Sequence, residues 1–345
     1  MSALRELTLS RFREFLREPE AVFWVFAFPV MLSCALGLAF RNQGTPDVLV
    51  GVLHAPATAS TAPGVDAVLG RTAGVRMKVV SRAEADVALR NGAIHLLVVP
   101  GTPVTYEFDP SRPESRVARF VVDDALQRAA GRAPAVPVAD RLVTVPGSRY
   151  IDWVVPGLLG MNIMGTGMWS VGFSVVQARV RKLLKRLVAT PMRRRDYLLS
   201  HMASRLIFLV LEVGALLGFA VLVFGVPVHG SWLLLMALCL LGALTFSGLG
   251  LLVASRSQTV EGVSGLMNLV MVPMWVFSGV FFASENFPAV MQPAIALLPL
   301  TALNQALRGV MIDGSGLAAL VPQVAVLGTW MVASFAAALR LFRWR

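Results

Sequence analysis

At 345 residues the chain is long enough for two or three soluble domains, but 56% of its residues are hydrophobic and only 15% charged, with a mean hydropathy of +0.68. That is too apolar for a water-facing surface and places it among membrane proteins. The net charge of +11 does not point to nucleic acid, because the basic residues sit beside apolar runs, where membrane topology accounts for them.

Residues 1–19 read as an amphipathic helix in the headgroup plane, with Leu4, Leu7, Phe12, Phe15 and Leu16 on one side and most of the charge elsewhere. The first twenty residues carry eight charges, unlike the short basic start of a cleavable signal. Pro19 separates this helix from a first span over 20–40.

Residues 41–148 read as a small α/β domain outside the membrane. "VLVGVL", "VRMKVV", "IHLLVV" and "VTYEF" are β-rich runs. "SRAEADVALRNG" opens with Ser81 and Glu84 at capping-box spacing and closes on Gly92. "PESRVARFVVDDALQRAAG" is a second amphipathic helix. Neither a metal-ligand cluster nor a Ser/His/Asp arrangement is visible, so the domain reads as structural or gating.

Further spans follow over 150–178, 203–226, 231–255, 260–284 and 317–340, six in all with the first. About 20 apolar residues suffice for each. Residues 285–316, broken by Pro288, Pro293 and Pro299, read as short helices on the outer face or partly re-entrant. Lys and Arg concentrate before span 1, between spans 2 and 3, between spans 4 and 5 and after span 6, which places both termini in the cytoplasm. The fold class is therefore a polytopic α-helical membrane protein with an interfacial N-terminal helix and an extracytoplasmic α/β domain between spans 1 and 2. Cys34 and Cys239 lie inside apolar spans and read as packing residues.

Three features could carry function. The segment 179–200, "RVRKLLKRLVATPMRRRDYLLS", holds eight basic residues and one acid. It has the pattern of a cationic helix, a break at Thr190–Pro191 and a second cationic turn. Charge alone allows a topological anchor that binds lipid headgroups; the helix–break–helix pattern allows a helix presented to a partner protein. Secondly, Met161, Met164 and Met168 share one helix face in span 2, and Met267, Met271 and Met274 share one in span 5. Asn162, Asn268, Trp169 and Trp275 lie close by. Met is flexible and polarizable and suits adaptable apolar surfaces, so the stripes fit either a cleft for a bulky hydrophobic substrate or ordinary packing. Thirdly, Glu212 is the acid inside span 3, seven residues past Arg205 and about 10 Å from it along the helix. Proton coupling or recognition of a cationic substrate is possible in principle for such a group. A structural hydrogen bond to Arg205, Ser204 or the N-terminal helix is preferred, because one acid without a relay makes a poor proton path. No "GxxxxGK[ST]" phosphate loop occurs in the chain.

"RKLLKRLVATPMRRRDYLLSHMASRL" resembles the cytoplasmic segment of type-2 ATP-binding-cassette (ABC-2) exporter permeases. "FSGVFFASENFPAVMQPAIALLPLTALNQALRGV" is similar to that family's motif at the end of span 5, and "FREFLREPEAVFWVFAFPVM" to its first helix and span. The resemblance covers essentially the whole chain, including the large first loop of the drug-exporter-like branch. It implies a coupling helix that docks on a separate ATPase subunit, with Leu183, Leu184, Leu187, Thr190, Pro191 and Met192 as docking residues. Arg181, Lys182, Lys185, Arg186, Arg193, Arg194 and Arg195 would pair with acidic groups on that subunit or with membrane lipids. It also implies a second permease copy, as homodimer or paralogue heterodimer, with the substrate path at the dimer interface along spans 2 and 5. ATP and Mg are expected in the partner ATPase, with no cofactor, metal or catalytic residue in this chain. The expected substrate is a hydrophobic or amphipathic small molecule, such as a drug, antibiotic or lipid-like compound. A membrane scaffold or sensor that recruits a cytoplasmic partner is the alternative. A proton-coupled secondary transporter ranks behind it, with one candidate carboxylate and no visible repeat.

Overall fold

In the computed structural model, which describes residues 12, 13, 17–39, 47–54, 64–101, 103–133, 149–180 and 194–341, the apolar runs are helices and the β-rich runs form one sheet. The chain divides into two units, residues 1–42 with 144–345, and residues 43–143. Helix α1 (Pro19–Val22) passes through a π-helical turn, Phe23–Ala27, into α2 (Phe28–Ala39). Pro29 explains the turn locally, since it has no N–H to offer the carbonyl four residues back and its ring crowds that carbonyl. That carbonyl belongs to Val25 and accepts instead from Asn162 Nδ2, at 3.4 Å.

The second unit contains β1 (Val48–Leu53), α3 (Val65–Leu69), β2 (Val75–Val80), α4 (Arg82–Arg90), β3 (Leu96–Val99), β4 (Thr105–Glu107) and α5 (Pro113–Ala129). Strand order is β2-β1-β3-β4. β1 pairs in parallel with both β2 and β3, and β4 closes the other edge antiparallel to β3. Central strands covered on both faces read as continuous apolar runs, and "VLVGVL" is such a run. Val50, Val52, Leu96 and Val98 pack under Val65 and Leu69 of α3 and Ala118 and Val122 of α5. Leu97, Val80 and Ile94 pack with Ala85 of α4. At the start of α4, Ser81 N donates to Glu84 Oε2 at 2.9 Å, and Glu84 N donates to Ser81 Oγ. Tyr106 of β4 donates to Asp123 of α5 at 3.2 Å; burial first, and the Asp123 charge second, push its phenol up to about 12.

The first unit resumes with α6 (Tyr150–Val180), α7 (Arg194–Phe224), α8 (Trp232–Ala254) and α9 (Val260–Phe277). After two 3₁₀ turns come α10 (Gln292–Ala296), α11 (Pro299–Met311), a 3₁₀ turn at Leu317–Leu320 and α12 (Val321–Leu341). α6 is the hub: α2, α7, α8, α9 and α11 all pack on it. Glycines set the closest approach. A Cβ on Gly250 of α8 would lie 2.6 Å from the Met168 carbonyl oxygen of α6, and one on Gly167 would lie 3.0 Å from Phe246 Cβ.

Four described helical segments are long and apolar enough to cross a membrane: Arg205–Phe224, Trp232–Ala254, Val260–Phe277 and Leu317–Leu341. A fifth candidate is the pair Ala289–Ala296 and Pro299–Met311, bent by 84°. The shorter apolar helix Phe23–Ala39 and α6 lie outside this set. α6 has the length, 31 residues or about 46 Å, but carries polar groups such as Asp152 and Asn162. Both are buried against protein, so α6 needs no uniformly apolar surface. α9 stops at Phe277 rather than continuing over the expected 260–284, because Gly279 takes a positive φ of 69°, a conformation that glycine adopts without steric cost. α7 begins at Arg194, so the second cationic turn of the 179–200 segment is continuous with the helix expected over 203–226.

Candidate functional site

Three arginines on or beside the hub hold the C-terminal ends of neighbouring helices. The last carbonyls of a helix lack intrahelical donors and carry partial negative charge, so a guanidinium there both hydrogen-bonds and complements the dipole. Arg149, just before α6, donates from Nη1 to Phe224 O at 2.9 Å and from Nη2 to Gly225 O at 3.0 Å, at the end of α7. It is oriented by Asp152, which it grips through Nε at 2.9 Å and Nη2 at 2.7 Å; that hydrogen bonding raises the Arg149 pKa above its ordinary value. The Asp152 side chain is wholly buried.

Arg179, at the far end of α6, holds the end of α8. Nη1 donates to Ala254 O at 3.2 Å and Ser257 O at 2.5 Å, and Nη2 to Ser255 O at 3.3 Å. Arg308 of α11 donates to Gly279 O beyond α9 and, through Nε at 3.2 Å, to Trp153 O of α6. Its guanidinium carbon lies 3.8 Å from the centroid of the Trp153 ring, at cation–π distance. Arg149, Arg308 and the ends of α7 and α9 thus cluster at the Tyr150 end of α6, and Arg179 with the end of α8 at the Val180 end. Sequence reasoning missed all three roles. The legible signals were the i, i+3 spacing of Arg149 and Asp152 and a lone Arg308 in an apolar helix.

Glu212 of α7 is buried. Its Oε1 accepts from Arg205 Nη2 at 3.0 Å and lies 3.2 Å from Thr166 Oγ1 of α6. Arg205 Nη2 also donates to Thr166 Oγ1 at 2.8 Å. Among the described residues, Glu212 Oε2 and Arg205 Nε are buried without a hydrogen-bond partner. One turn back on α6 sits Asn162, bonded to Val25 as described above.

The two methionine stripes lie inside the unit. Met164, Met168, Met267, Met271 and Met274 are buried in its core, with Met161, Trp169 and Trp275 packed at its margin. Met267 Cε fills the space where Gly172 of α6 lacks a side chain, and Met271 Cε lies 3.8 Å from the Cβ position of Gly165. The stripes therefore meet along one α6–α9 seam. Asn268 is exposed on another side of α9. Residues 181–193 of the basic segment, including Leu183, Leu184, Leu187, Thr190, Pro191 and Met192, lie outside the described residues, as do most of residues 1–19. Arg194 and Arg195 lie in the first turn of α7. The Phe12 ring stacks on Phe208 of α7 at 5.5 Å between centroids. Among the described residues, no three His, Cys, Asp or Glu side chains gather as a metal-binding group.

The family model of the ABC-2 type transporter matches residues 120–312, more than half of the chain. The chain belongs to the ABC-2 type transporter family. Relatives are similar at modest identity. An ABC transporter G family member 20 of Dictyostelium discoideum is 27% identical over 172 residues, 50% of this chain and 24% of the relative. The inner membrane transport permease YadH of Escherichia coli K12 is 26% identical over 173 residues, 50% of this chain and 66% of the relative. The "Probable multidrug ABC transporter permease YbhS" of the same strain is 22% identical over 349 aligned residues, 90% of this chain and 89% of the relative. The chain thus spans about a quarter of the first of these relatives and just under two thirds of the second. The matched stretch contains the ABC-2 permease hub helix, the basic segment and the three arginine clamps. This chain is a multi-pass membrane protein of that family.

Proposed function

We propose that the chain is the membrane half of an ATP-driven exporter. It crosses a bacterial inner membrane six times, through the helix at 23–39, α6, α7, α8, α9 and α12, with both termini cytoplasmic and the 43–143 unit outside. A separate ATP-binding-cassette subunit docks on residues 181–195, and two permease copies assemble around the substrate path. The cargo is a hydrophobic or amphipathic small molecule moved outward. ATP binding in the partner drives alternating access through its different affinity for the two states.

The observation that carries this reading is the placement of the basic segment. It joins α6 and α7, two helices of 31 residues each, inside the family-matched region. The near end-to-end likeness to a permease named for multidrug transport supports a drug-like cargo. The path is proposed along the α6–α9 seam, where methionine faces glycine and can repack as the helices part.

Affinity purification of the tagged permease from native membranes, followed by mass spectrometry, tests the reading. A stoichiometric partner with a phosphate-binding loop, lost when Leu184 and Leu187 become Asp, supports it. Failure to recover such a subunit in several mild detergents would favour the scaffold or sensor role. ATP-dependent loading of a hydrophobic dye into inverted vesicles then tests direction.

A further inference from the structure

The geometry points to Arg179 as the positioning residue that carries movement of the 181–195 segment to the turn between α8 and α9. This rests on the proposal that a separate ATPase docks on that segment. Arg179 is the last basic residue of α6 before the segment begins, two positions from Arg181. Its guanidinium donates to three carbonyls, those of Ala254, Ser255 and Ser257, which line the exit from α8. Two residues past Ser257, Thr259 caps α9 by accepting from Gly262 N at 3.1 Å. The path from the segment to α9 is therefore one side chain and a five-residue turn.

Three features make this a transmitting contact rather than a loose one. The donors are charged, and their acceptors are the last carbonyl of α8 and two carbonyls of the turn that follows it, contacts about twice as strong as neutral hydrogen bonds. α6 and α8 are in backbone contact through Gly250 and Met168, so they respond as a pair rather than slide. The turn itself is anchored from within: Ser255 Oγ donates to Leu252 O at 2.7 Å and Ser257 Oγ to Val253 O at 3.1 Å. A displacement of the α6 end thus tilts the turn instead of unravelling it. α9 carries one side of the α6–α9 seam, so its first turn is where a stroke has to arrive.

The test uses the permease–ATPase complex in nanodiscs, with Cys34 and Cys239 replaced by Ser and Glu261→Cys placed in the exposed first turn of α9. Maleimide labelling of Cys at 261 is followed with and without ATP plus vanadate, beside ATPase activity. In the parent complex nucleotide changes the labelling rate. In Arg179→Gln the partner still copurifies and hydrolyses ATP, while the nucleotide-dependent change shrinks about tenfold, the size expected for loss of an ordinary coupling. Arg179→Lys, which keeps the charge but cannot span three carbonyls, falls between the two. If Arg179→Gln does not assemble, the Lys variant decides alone, and a full labelling response there overturns the inference. A full response in the Gln variant, or loss of partner binding in the Lys variant, also overturns it. Failure of the parent permease to bind any ATPase is a different result and sinks the functional proposal instead.

Discussion

The Arg205 guanidinium and the Glu212 carboxylate, seven residues apart on one helix, meet at 3.0 Å and share the hydroxyl of Thr166 on α6. Charges buried in this way stabilise only if the pair is complete, because removing one partner leaves the other uncompensated.

Glu212→Leu, which strands Arg205, should therefore lower the stability of the purified permease by about 3–5 kcal/mol. The double replacement Arg205→Met with Glu212→Leu should cost clearly less than either single change. Thermal unfolding of the four proteins checks this as a double-mutant cycle. Glu212→Gln keeps the shape and one acceptor; an ATP-driven permease retains transport with it, whereas a gradient-driven one loses it.

Arg149 poses the same physics at the other end of the hub. Arg149→Gln leaves the buried Asp152 carboxylate without its guanidinium and the end of α7 without two donors, so a loss of about 3 kcal/mol is expected. Asp152→Asn in the same chain should recover part of it. Arg149→Lys should lie between, because a single ammonium cannot reproduce the fork. Denaturation in a defined detergent ranks the variants.

Close packing of α6 on α8 gives a third expectation. Gly250→Ala drives a Cβ to within 2.6 Å of backbone, which no side-chain rotation relieves, and overpacking of this kind costs about 1–3 kcal/mol. Gly328 of α12 meets nothing within 4 Å, so Gly328→Ala should be neutral or slightly stabilising through helix propensity. Melting temperatures of the two variants should move in opposite directions or differ by several degrees.

In the 43–143 unit, Tyr106 should ionise at about 12, well above an ordinary tyrosine at about 10. The folded state favours the protonated phenol, so its contribution is complete below the ordinary value and fades as pH rises through about 12. Ultraviolet difference titration of the intact protein should lose this late component in Tyr106→Phe. The stability gap between the two proteins should close over the same interval.

Much of this was legible in the residues, and the boundary is physical. The strands of the 43–143 unit announce themselves as short β-branched runs, and Ser81 with Glu84 marks the start of α4 because a capping box is local. Helix α3 is only five residues, too short to show a period. The parallel partners of β1 depend on pairings distant in sequence, so its central place in the sheet was not readable. The same holds for the site. Glu212 and Arg205 are visible because they are two turns apart on one helix, but Thr166 joins them from another. Arg179 looked like one more charge in a basic run, and only the arrival of the α8 end beside it reveals its task. The methionine stripes were readable as helix faces; that they meet each other across Gly165 and Gly172 was not.

The pairing of Arg149 with Asp152 bears on how the chain enters its membrane. In the proposed topology Arg149 ends up on the outer side, against the general bias of basic residues toward the cytoplasm. Moving one elementary charge across a membrane costs about 2.3 kcal/mol per 100 mV. Arg149 and Asp152 stand three residues apart at the head of the same helix, so they can travel as a neutral couple before any neighbour has formed. Insertion of α6 would then do no net work against the membrane potential at that point, and the arginine would reach the far side already oriented for the helix end it is to hold.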